Sequence, residues 1–159
     1  ENPYDANLDA YEAKKSQKFL NEQYSIFGTL NGHSEHSVTI MHLDVDDLTS
    51  KRKQKMSPYD TSSLMFKIYS RMSEYFLSKN SLTFFMGGDN FMVVTNSEFK
   101  NFAKDFIKIS KDEFQIELNC GIGTASTSRD AVKLATESLD TIREIRDAGK
   151  EKPEIYELN

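Results

Sequence analysis

The stretch that most constrains the fold of this chain runs from residue 84 to residue 94 and reads FFMGGDNFMVV. Two apolar runs flank two consecutive glycines, which is the pattern of a β-hairpin with a tight turn. Gly87 and Gly88 can adopt positive φ and leave room for a bulky anion to approach the backbone. Asp89 follows at the tip, where a carboxylate can bind a hard cation. Taken alone, the stretch favours an ordinary hairpin whose polar tip faces solvent.

A second acidic stretch, HLDVDDL at residues 42–48, changes this interpretation. It follows the apolar run at residues 38–41, which places Asp44 inside or at the end of a buried strand. The carboxylates of Asp44 and Asp89 would then lie on neighbouring strand ends, beside a Gly-Gly turn. That arrangement suits phosphate chemistry assisted by two metal ions.

Composition narrows the classes of function without identifying one. The chain has 159 residues and a net charge of −5, which suits one compact domain with a modest appendage and argues against a nucleic-acid partner held by bulk electrostatics. The single cysteine, Cys120, excludes an internal disulfide and predicts a reducing, cytoplasmic location. No apolar run is long enough to span a membrane, so we expect no membrane partner. Because the chain begins at Glu1 without a Met, we interpret it as a processed, proteolysed or engineered fragment.

Hydrophobic periodicity predicts an α+β domain that begins at residue 38. Ser57 and Pro58 mark the start of its first helix, and Gly149 marks the end of its last. The predicted order is β-α-β-β-α-β-α-β: strand 38–44, helix 58–79, strands 82–86 and 90–95, helix 97–110, strand 114–118, helix 128–147 and an edge strand 154–158. This order predicts a ferredoxin-like or palm β-α-β-β-α-β core with an extra C-terminal helix and strand. We expect a sheet that contains antiparallel strands, with helices on one face.

The first residues of the chain resemble the start of the last predicted helix, which indicates an internal repeat. Both segments carry an Asp-Ala pair with a leucine close behind it, at residues 5–8 and 130–134. We interpret residues 1–24 as the terminal helix of a preceding, missing copy of the domain, 25–37 as a linker, and 38–159 as the domain itself. The alternative is chance similarity between two amphipathic helices.

Three motifs in register resemble one known family. Asp44 together with the GGDN sequence at residues 87–90 is similar to the palm of GGDEF proteins and nucleotidyl cyclases. A narrower match resembles archaeal-type GTP cyclohydrolase III, and it covers residues 58–61, 84–92 and 118–123. That family has two tandem palm domains, with GGDN in the second. The resemblance therefore implies a GGDEF-like palm at residues 38–159, and it accounts for the repeat.

The resemblance implies a Mg²⁺-dependent enzyme that opens the guanine imidazole ring of GTP. Water is added at C8, the C8–N9 bond breaks and pyrophosphate is lost, which leaves a formylaminopyrimidine ribonucleotide monophosphate. The implied partners are GTP and two or more Mg²⁺ ions, with a monovalent cation left open. The resemblance also implies a homo-oligomer formed through the parent protein.

The same resemblance assigns roles to individual residues. Asp44 and Asp89 would be the catalytic carboxylates and, with the Val45 carbonyl, the metal ligands. Asp60 would read the guanine Watson–Crick edge, although capping or a solvated position in the first turn explains it nearly as well. Backbone N–H groups would cradle phosphate oxygens at Asp46, Asp47, Leu48, Gly87 and Gly88. The other substrate-binding candidates are Asn90, Arg143 and Lys150; His42, which shares a face with Asp44 in a regular strand, is interpreted as structural.

Two other classes of function stay open. A nucleotidyl or diguanylate cyclase, or a CRISPR-associated palm polymerase, would use the same fold. Against a cyclase, Asn90 replaces the acidic fourth residue of GGDEF, and Ser78 and Ser81 stand where an Arg-x-x-Asp inhibitory site is expected. The other class is a non-catalytic guanine-nucleotide-binding domain, because a fragment without its first palm could bind GTP without turning it over.

Overall fold

The computed structural model describes residues 2–15, 37–46, 56–95 and 99–158. Within these ranges four helices and five strands follow one another: α1 Pro3–Lys15, β1 Val38–Val45, α2 Pro58–Leu77, β2 Leu82–Gly87, β3 Asn90–Thr95, α3 Phe99–Phe114, β4 Leu118–Ala125, α4 Ser128–Asp147 and β5 Ile155–Leu158. From β1 onward this is the predicted β-α-β-β-α-β-α-β order.

The strands form a single five-stranded sheet in the order β2-β3-β1-β4-β5. The central strand, β1, pairs antiparallel with both β3 and β4, while β5 lies parallel to β4 at one edge. The apolar run of β1 and the short, mixed sequence of β5 predict these central and edge positions, because a central strand is covered on both faces. The predicted α+β palm architecture is confirmed.

Alternation along β1 divides its side chains between the two faces of the sheet. Met41, Leu43 and Val45 point into the main core, where they are buried against α2 and α3. Ile40 points the other way and packs with small residues of α4. The two helices of the ferredoxin-like core therefore share one face as predicted. The expectation that all helices share it is wrong, because the additional helix α4 covers the opposite face.

Two glycines of β4 allow α4 to lie close to the sheet. A Cβ atom at Gly121 would lie 2.2 Å from the carbonyl oxygen of Ala135. A Cβ atom at Gly123 would lie 2.3 Å from the carbonyl oxygen of Ala131. Any side chain at either position would collide with the helix backbone, so the glycines fix the distance between α4 and β4.

The largest difference from the predicted element boundaries lies where α3 ends and β4 begins. The alternation of Phe114, Ile116 and Leu118 predicts a strand, but α3 continues to Phe114. Gln115 adopts a φ of 54°, and the N–H of Ile116 donates to the carbonyl of Ser110, so the helix ends in a left-handed turn. Ile116 is buried because this turn folds it into the core, and β4 begins only at Leu118.

The N-terminal helix α1 covers Pro3–Lys15 of the predicted helix 1–24. Residues 16–36, which contain the rest of that helix and most of the predicted linker 25–37, lie outside the described residues. The assignment of residues 1–24 to a preceding domain stays a prediction. Among the described helices, none combines the length and the apolar composition that crossing a membrane requires.

Candidate active site at the end of the central strand

The hairpin of β2 and β3 carries the glycine pair at its tip. Gly87 pairs with Asn90 across the turn, and both glycines have positive φ, 100° at Gly87 and 64° at Gly88. A Cβ atom at Gly87 would meet nothing within 4 Å. The glycine is therefore required by the backbone conformation rather than by packing, and the space above the turn is open to a ligand.

The hairpin tip lies against the end of β1. Asp44 is the register partner of Asn90, and the N–H of Val45 donates to the carbonyl of Asp89 at 3.3 Å. Asp44 and Asp89 therefore sit on neighbouring strand ends, as the sequence predicts. The carboxylate of Asp89 is half-buried and accepts a hydrogen bond from Nδ2 of Asn90 at 2.8 Å.

Asp44 is buried on the α4 face of the sheet, with 5% of its surface exposed. Its Oδ2 accepts from Nε and Nη2 of Arg143, at 3.1 and 2.7 Å, and its Oδ1 accepts from Nδ2 of Asn119 at 3.0 Å. These contacts compensate the cost of burying the charge. Arg143, predicted to contact a phosphate, is thus brought into the site as the partner of a candidate metal ligand.

A second carboxylate, Asp46, anchors a network around the same strand end. Its Oδ2 lies 2.9 Å from Nζ of Lys152, and its Oδ1 accepts from Arg146 at 3.3 Å. Asn119 donates to Oδ1 at 3.3 Å and accepts from Lys152 at 2.6 Å. Burial alone would raise the pKa of Asp46, but the hydrogen bonds from Lys152 and Asn119 outweigh it and hold that pKa below its ordinary value.

His42 links the hairpin to α4 on the same face. Its Nε2 lies 3.2 Å from Oδ1 of Asn90, and its Nδ1 lies 3.2 Å from Oγ1 of Thr136. The side chain is buried, and this burial lowers the pKa of the imidazole although the hydrogen bond to the Asn90 oxygen raises it. The shared face of His42 and Asp44 is confirmed.

One expected phosphate donor is already used by the fold. The N–H of Asp46 donates to the carbonyl of Glu117 at 2.8 Å, so the expectation that it faces a phosphate is wrong for this structure. Asp47 and Leu48 lie outside the described residues. The metal-binding role of the Val45 carbonyl and the phosphate-binding roles of Gly87 and Gly88 stay predictions.

The structure places Asp60 at the start of α2, in its helix cap. Its Oδ2 accepts from Oγ and N–H of Ser57, at 2.6 and 3.3 Å, while the Asp60 N–H donates to Oγ of Ser57 at 3.1 Å. These hydrogen bonds lower the pKa of the Asp60 carboxyl. The capping role weighed from the sequence is therefore confirmed. An open groove of about 410 Å³ runs along the neighbouring face of the helix, lined by Tyr59, Ser62, Ser63, Phe66, Lys67 and Ser70.

Lys150 follows the end of α4. The chain turns there at Gly149, which has a φ of 70°, and the N–H of Lys150 donates to the carbonyl of Ile145 at 3.2 Å. The prediction that Gly149 ends the helix is confirmed. Within the described part of the chain, no contact joins the Lys150 side chain to Asp44, Asp46 or Asp89.

Sequence reasoning missed several residues of the site. Asn119 is the register partner of Asp44, and its one sequence signal is a polar residue inside the otherwise apolar start of β4. No sequence pattern distinguishes Arg146, Lys152 or Thr136 from other polar residues of their segments. Their roles depend on which strands pair and on how α4 is rotated over the sheet.

The donor chemistry at this strand end fits a hard divalent cation, because carboxylate and carbonyl oxygens are the ligands that Mg²⁺ prefers. Among the described residues, no three His, Cys, Asp or Glu side chains converge to hold a metal by themselves. A cation here would therefore rest on Asp44 and Asp89, with oxygens from the backbone, water or substrate. Arg143 occupies one oxygen of Asp44, so a cation would share that carboxylate with it or displace it.

The fold is that of the GGDEF palm domains. The GGDEF domain of a Pseudomonas aeruginosa protein superposes with a TM-score of 0.61 at 14% sequence identity, over 98% of this chain and 95% of that domain. At this level of identity the similarity defines the architecture alone.

The chain belongs to the GTP cyclohydrolase III family. The family model described as GTP cyclohydrolase III matches residues 1–154. A GTP cyclohydrolase III from Methanococcus maripaludis is 38% identical over 122 residues, which cover 76% of this chain and 44% of the relative. One from Methanocaldococcus jannaschii is 40% identical over 108 residues, covering 67% of this chain and 40% of the relative. The matched region thus spans less than half the length of either relative.

Proposed function

We propose that this chain is the GTP-binding and cation-binding palm of a GTP cyclohydrolase. The reaction opens the imidazole ring of GTP with loss of pyrophosphate and yields a formylaminopyrimidine ribonucleotide monophosphate. Family membership supports the reaction. One observation carries the location of the site: the hairpin tip that bears Asp89 is hydrogen-bonded to the end of β1, immediately beside the buried carboxylate of Asp44.

The cations are part of the proposal. Asp44, Asp89 and the Val45 carbonyl would hold two or more Mg²⁺ ions, which when bound neutralise triphosphate charge and acidify a water molecule. The chain's own residues contribute around them. The turn at Gly87 and Gly88 leaves open space beside the carboxylates. The guanidinium of Arg143 pairs with Asp44 and can pair with a phosphate oxygen instead when substrate is bound.

Guanine recognition by Asp60 is compatible with its place in the helix cap. The hydrogen bonds to Ser57 use Oδ2, and the residue is exposed, so the carboxylate can also accept from N1–H and N2–H of guanine. Adenine lacks this pair of donors. The adjoining groove carries two aromatic side chains, Tyr59 and Phe66, which offer a surface for a base.

The proposal includes the context of the chain in a longer protein. The matched region covers 44% and 40% of two relatives, so both relatives are longer than this chain. We propose that residues 1–24 end a preceding palm because residues 5–8 resemble residues 130–134 of the last helix. We propose that the longer protein forms a homo-oligomer. Size-exclusion chromatography with light scattering of that protein measures its oligomeric state, and a monomer at working concentration contradicts this part of the proposal.

The test incubates the chain, and separately the longer protein, with GTP and MgCl₂ while ultraviolet absorbance and pyrophosphate are followed. Ring opening changes the purine spectrum and releases pyrophosphate, and this is the expected result. Cyclisation or dinucleotide formation releases pyrophosphate but leaves the purine spectrum intact, and it would overturn the proposal in favour of a cyclase. Binding of GTP by the longer protein without any product would favour a binding domain. Asp89→Asn, which keeps the shape of the side chain, is the matched inactive control.

A further inference from the structure

We propose that His42 is a positioning residue that orients Asp89 through Asn90. The inference rests on the proposed function, in which Asp89 binds a cation. Four side chains form an unbroken series of hydrogen bonds on the α4 face: Thr136 to His42 at 3.2 Å, His42 to Asn90 at 3.2 Å, and Asn90 to Asp89 at 2.8 Å. The series joins a helix, the central strand and the hairpin tip.

The chemistry of the groups fixes the direction of each hydrogen bond. An ionised carboxylate can only accept, so the group of Asn90 that faces Asp89 must be its NH₂. The amide oxygen of Asn90 then faces Nε2 of His42 and requires a donor there. Nε2 of His42 must therefore carry a proton, and Nδ1 can accept from the hydroxyl of Thr136.

This arrangement gives His42 a specific effect on Asp89. An amide that rotates by half a turn would present its oxygen to the carboxylate, where two acceptors repel each other. The Nε2–H of His42 needs the Asn90 amide oxygen as its acceptor, so it stabilises only the orientation in which the Asn90 NH₂ donates to Asp89. His42 lies on β1 and is buried under α4. The hairpin tip therefore takes its orientation from the packed centre of the fold.

The series also explains what an asparagine offers at position 90. Its amide donates to one neighbour and accepts from the other. An ionised acidic residue at this position could accept from His42 but could not donate to Asp89. Asn90 is therefore suited to linking an imidazole N–H to a carboxylate.

The experiment compares two amide substitutions that differ only in where the donor sits. In His42→Gln, the side-chain nitrogen reaches the place of Nε2 and can still donate to Asn90. In His42→Asn, the shorter side chain places its amide near the position of Nδ1 and cannot reach Asn90. Both replace a buried imidazole with an amide, so melting curves serve as the control for a general loss of stability.

The measurement is the affinity for Mn²⁺, used as the probe cation and followed by electron paramagnetic resonance. We expect His42→Asn to weaken binding about three- to tenfold, the range of one hydrogen bond, and His42→Gln to stay within about twofold of the wild type. Ser138→Ala is a matched control in the same helix–sheet interface, where the Ser138 hydroxyl donates to the Ile122 carbonyl at 2.9 Å. Its Mn²⁺ affinity should be unchanged.

A second readout needs no cation. Nitrogen-15 chemical shifts of the His42 ring should show the proton on Nε2 in the wild-type chain. A proton on Nδ1, or equal Mn²⁺ affinities in the wild type and His42→Asn, would overturn the positioning role alone. Failure of the wild-type chain to bind Mn²⁺ would overturn the cation site of the proposed function and this inference with it.

Discussion

The two faces of the sheet are packed in different ways. Against α2 and α3, large apolar side chains interdigitate, among them Met41, Phe91 and Phe106, all fully buried. Against α4 the backbones come closer, and Ala131, Ala135 and Leu139 lie directly over the glycines of β4. One face is filled by side-chain volume, and the other is closed by the approach of two backbones.

This difference decides where a polar site can form. When a helix lies close to a sheet, its longer side chains reach past the contact to the strand ends. Arg143 of α4 reaches Asp44 in this way. The short side chain of Thr136, also on α4, contacts His42 because the helix lies close to the sheet there. The large side chains on the opposite face would leave such groups without polar partners, and an unpaired buried charge is costly. The candidate site therefore lies on the face where the helix backbone comes close to the sheet.

The largest expected effect comes from removing the close approach itself. Gly121→Ala places a Cβ atom 2.2 Å from the Ala135 carbonyl oxygen, so α4 must shift away from β4. We expect a loss of more than about 4 kcal/mol in the free energy of unfolding, or no cooperative transition at all, as measured by urea denaturation.

Gly87→Ala is the matched control for that substitution. It meets no neighbouring atom, but it forces alanine into a φ of 100°, which we expect to cost about 1–2 kcal/mol. Equal losses in the two variants would contradict the claim that the α4 face is closed by its backbones.

The opposite face should respond to lost volume instead. Ile68 is fully buried under the main core, and Ile68→Ala is expected to lower the free energy of unfolding by about 3 kcal/mol because it leaves a cavity. The affinity for Mn²⁺, measured well below the new melting temperature, should be unchanged. A weaker affinity would show that the two faces are coupled through the sheet.

Substitution of either carboxylate of the site, Asp44 or Asp89, should abolish activity, but the two substitutions should differ in their effect on stability. Asp89→Ala removes a half-buried side chain with one described hydrogen bond, and we expect it to abolish product formation from GTP at a cost below about 1 kcal/mol. Asp44→Ala should also abolish the reaction, but it removes an acceptor from Arg143 and from Asn119 inside the sheet and should cost about 1–3 kcal/mol. Among the described residues, Arg143 then keeps its contact with Asp140, and Asn119 its donation to Asp46.

Thermal melts and the GTP assay on the same preparations check this pair. Normal turnover in either variant contradicts the assignment of the carboxylates. The sequence alone predicts equal behaviour for the two positions, so a difference in stability is the part that the structure adds.

The smallest expected effect is a dependence of stability on pH. The pKa of Asp46 is lower in the folded chain than its ordinary value, so its contacts with Lys152 and Asn119 stabilise the fold above about pH 4. That contribution is lost as the pH falls through the folded pKa. Asp46→Asn should therefore flatten the fall in unfolding free energy between about pH 5 and pH 2, by roughly 1 kcal/mol. Parallel curves for the two proteins would contradict the network.

The elements that the sequence predicts well carry local signals. The glycine pair specifies the hairpin, Ser57 and Pro58 specify the start of α2, and the bounds of α4 agree with the prediction at both ends. The boundary that fails, at the end of α3, fails because Phe114 and Ile116 alternate like strand residues while they pack a turn.

The sequence predicts where the two principal carboxylates lie and names Asn90 and Arg143 as candidates, but it does not predict the contacts that these residues make. Asp44 and Asp89 could be placed together because strand order brings a hairpin tip to the end of a central strand. The ion pair of Asp44 with Arg143 joins positions 99 residues apart, and that of Asp46 with Lys152 joins the strand to the segment after α4. Both depend on the rotation and depth of α4, which no local pattern encodes. The sequence also cannot show that the Asp46 N–H is used by the Glu117 carbonyl.

The glycines of β4 have a consequence for any library of variants made from this chain. A saturation mutagenesis scan of residues 118–125 should show two positions that reject all nineteen replacements, Gly121 and Gly123, separated by a residue that tolerates other aliphatic side chains. A second scan, of the hairpin tip, should instead favour residues that accept a left-handed backbone, so asparagine should be tolerated at Gly88 where valine is not. A screen for improved variants should therefore vary the residues of the turn and leave Gly121 and Gly123, beneath α4, unchanged.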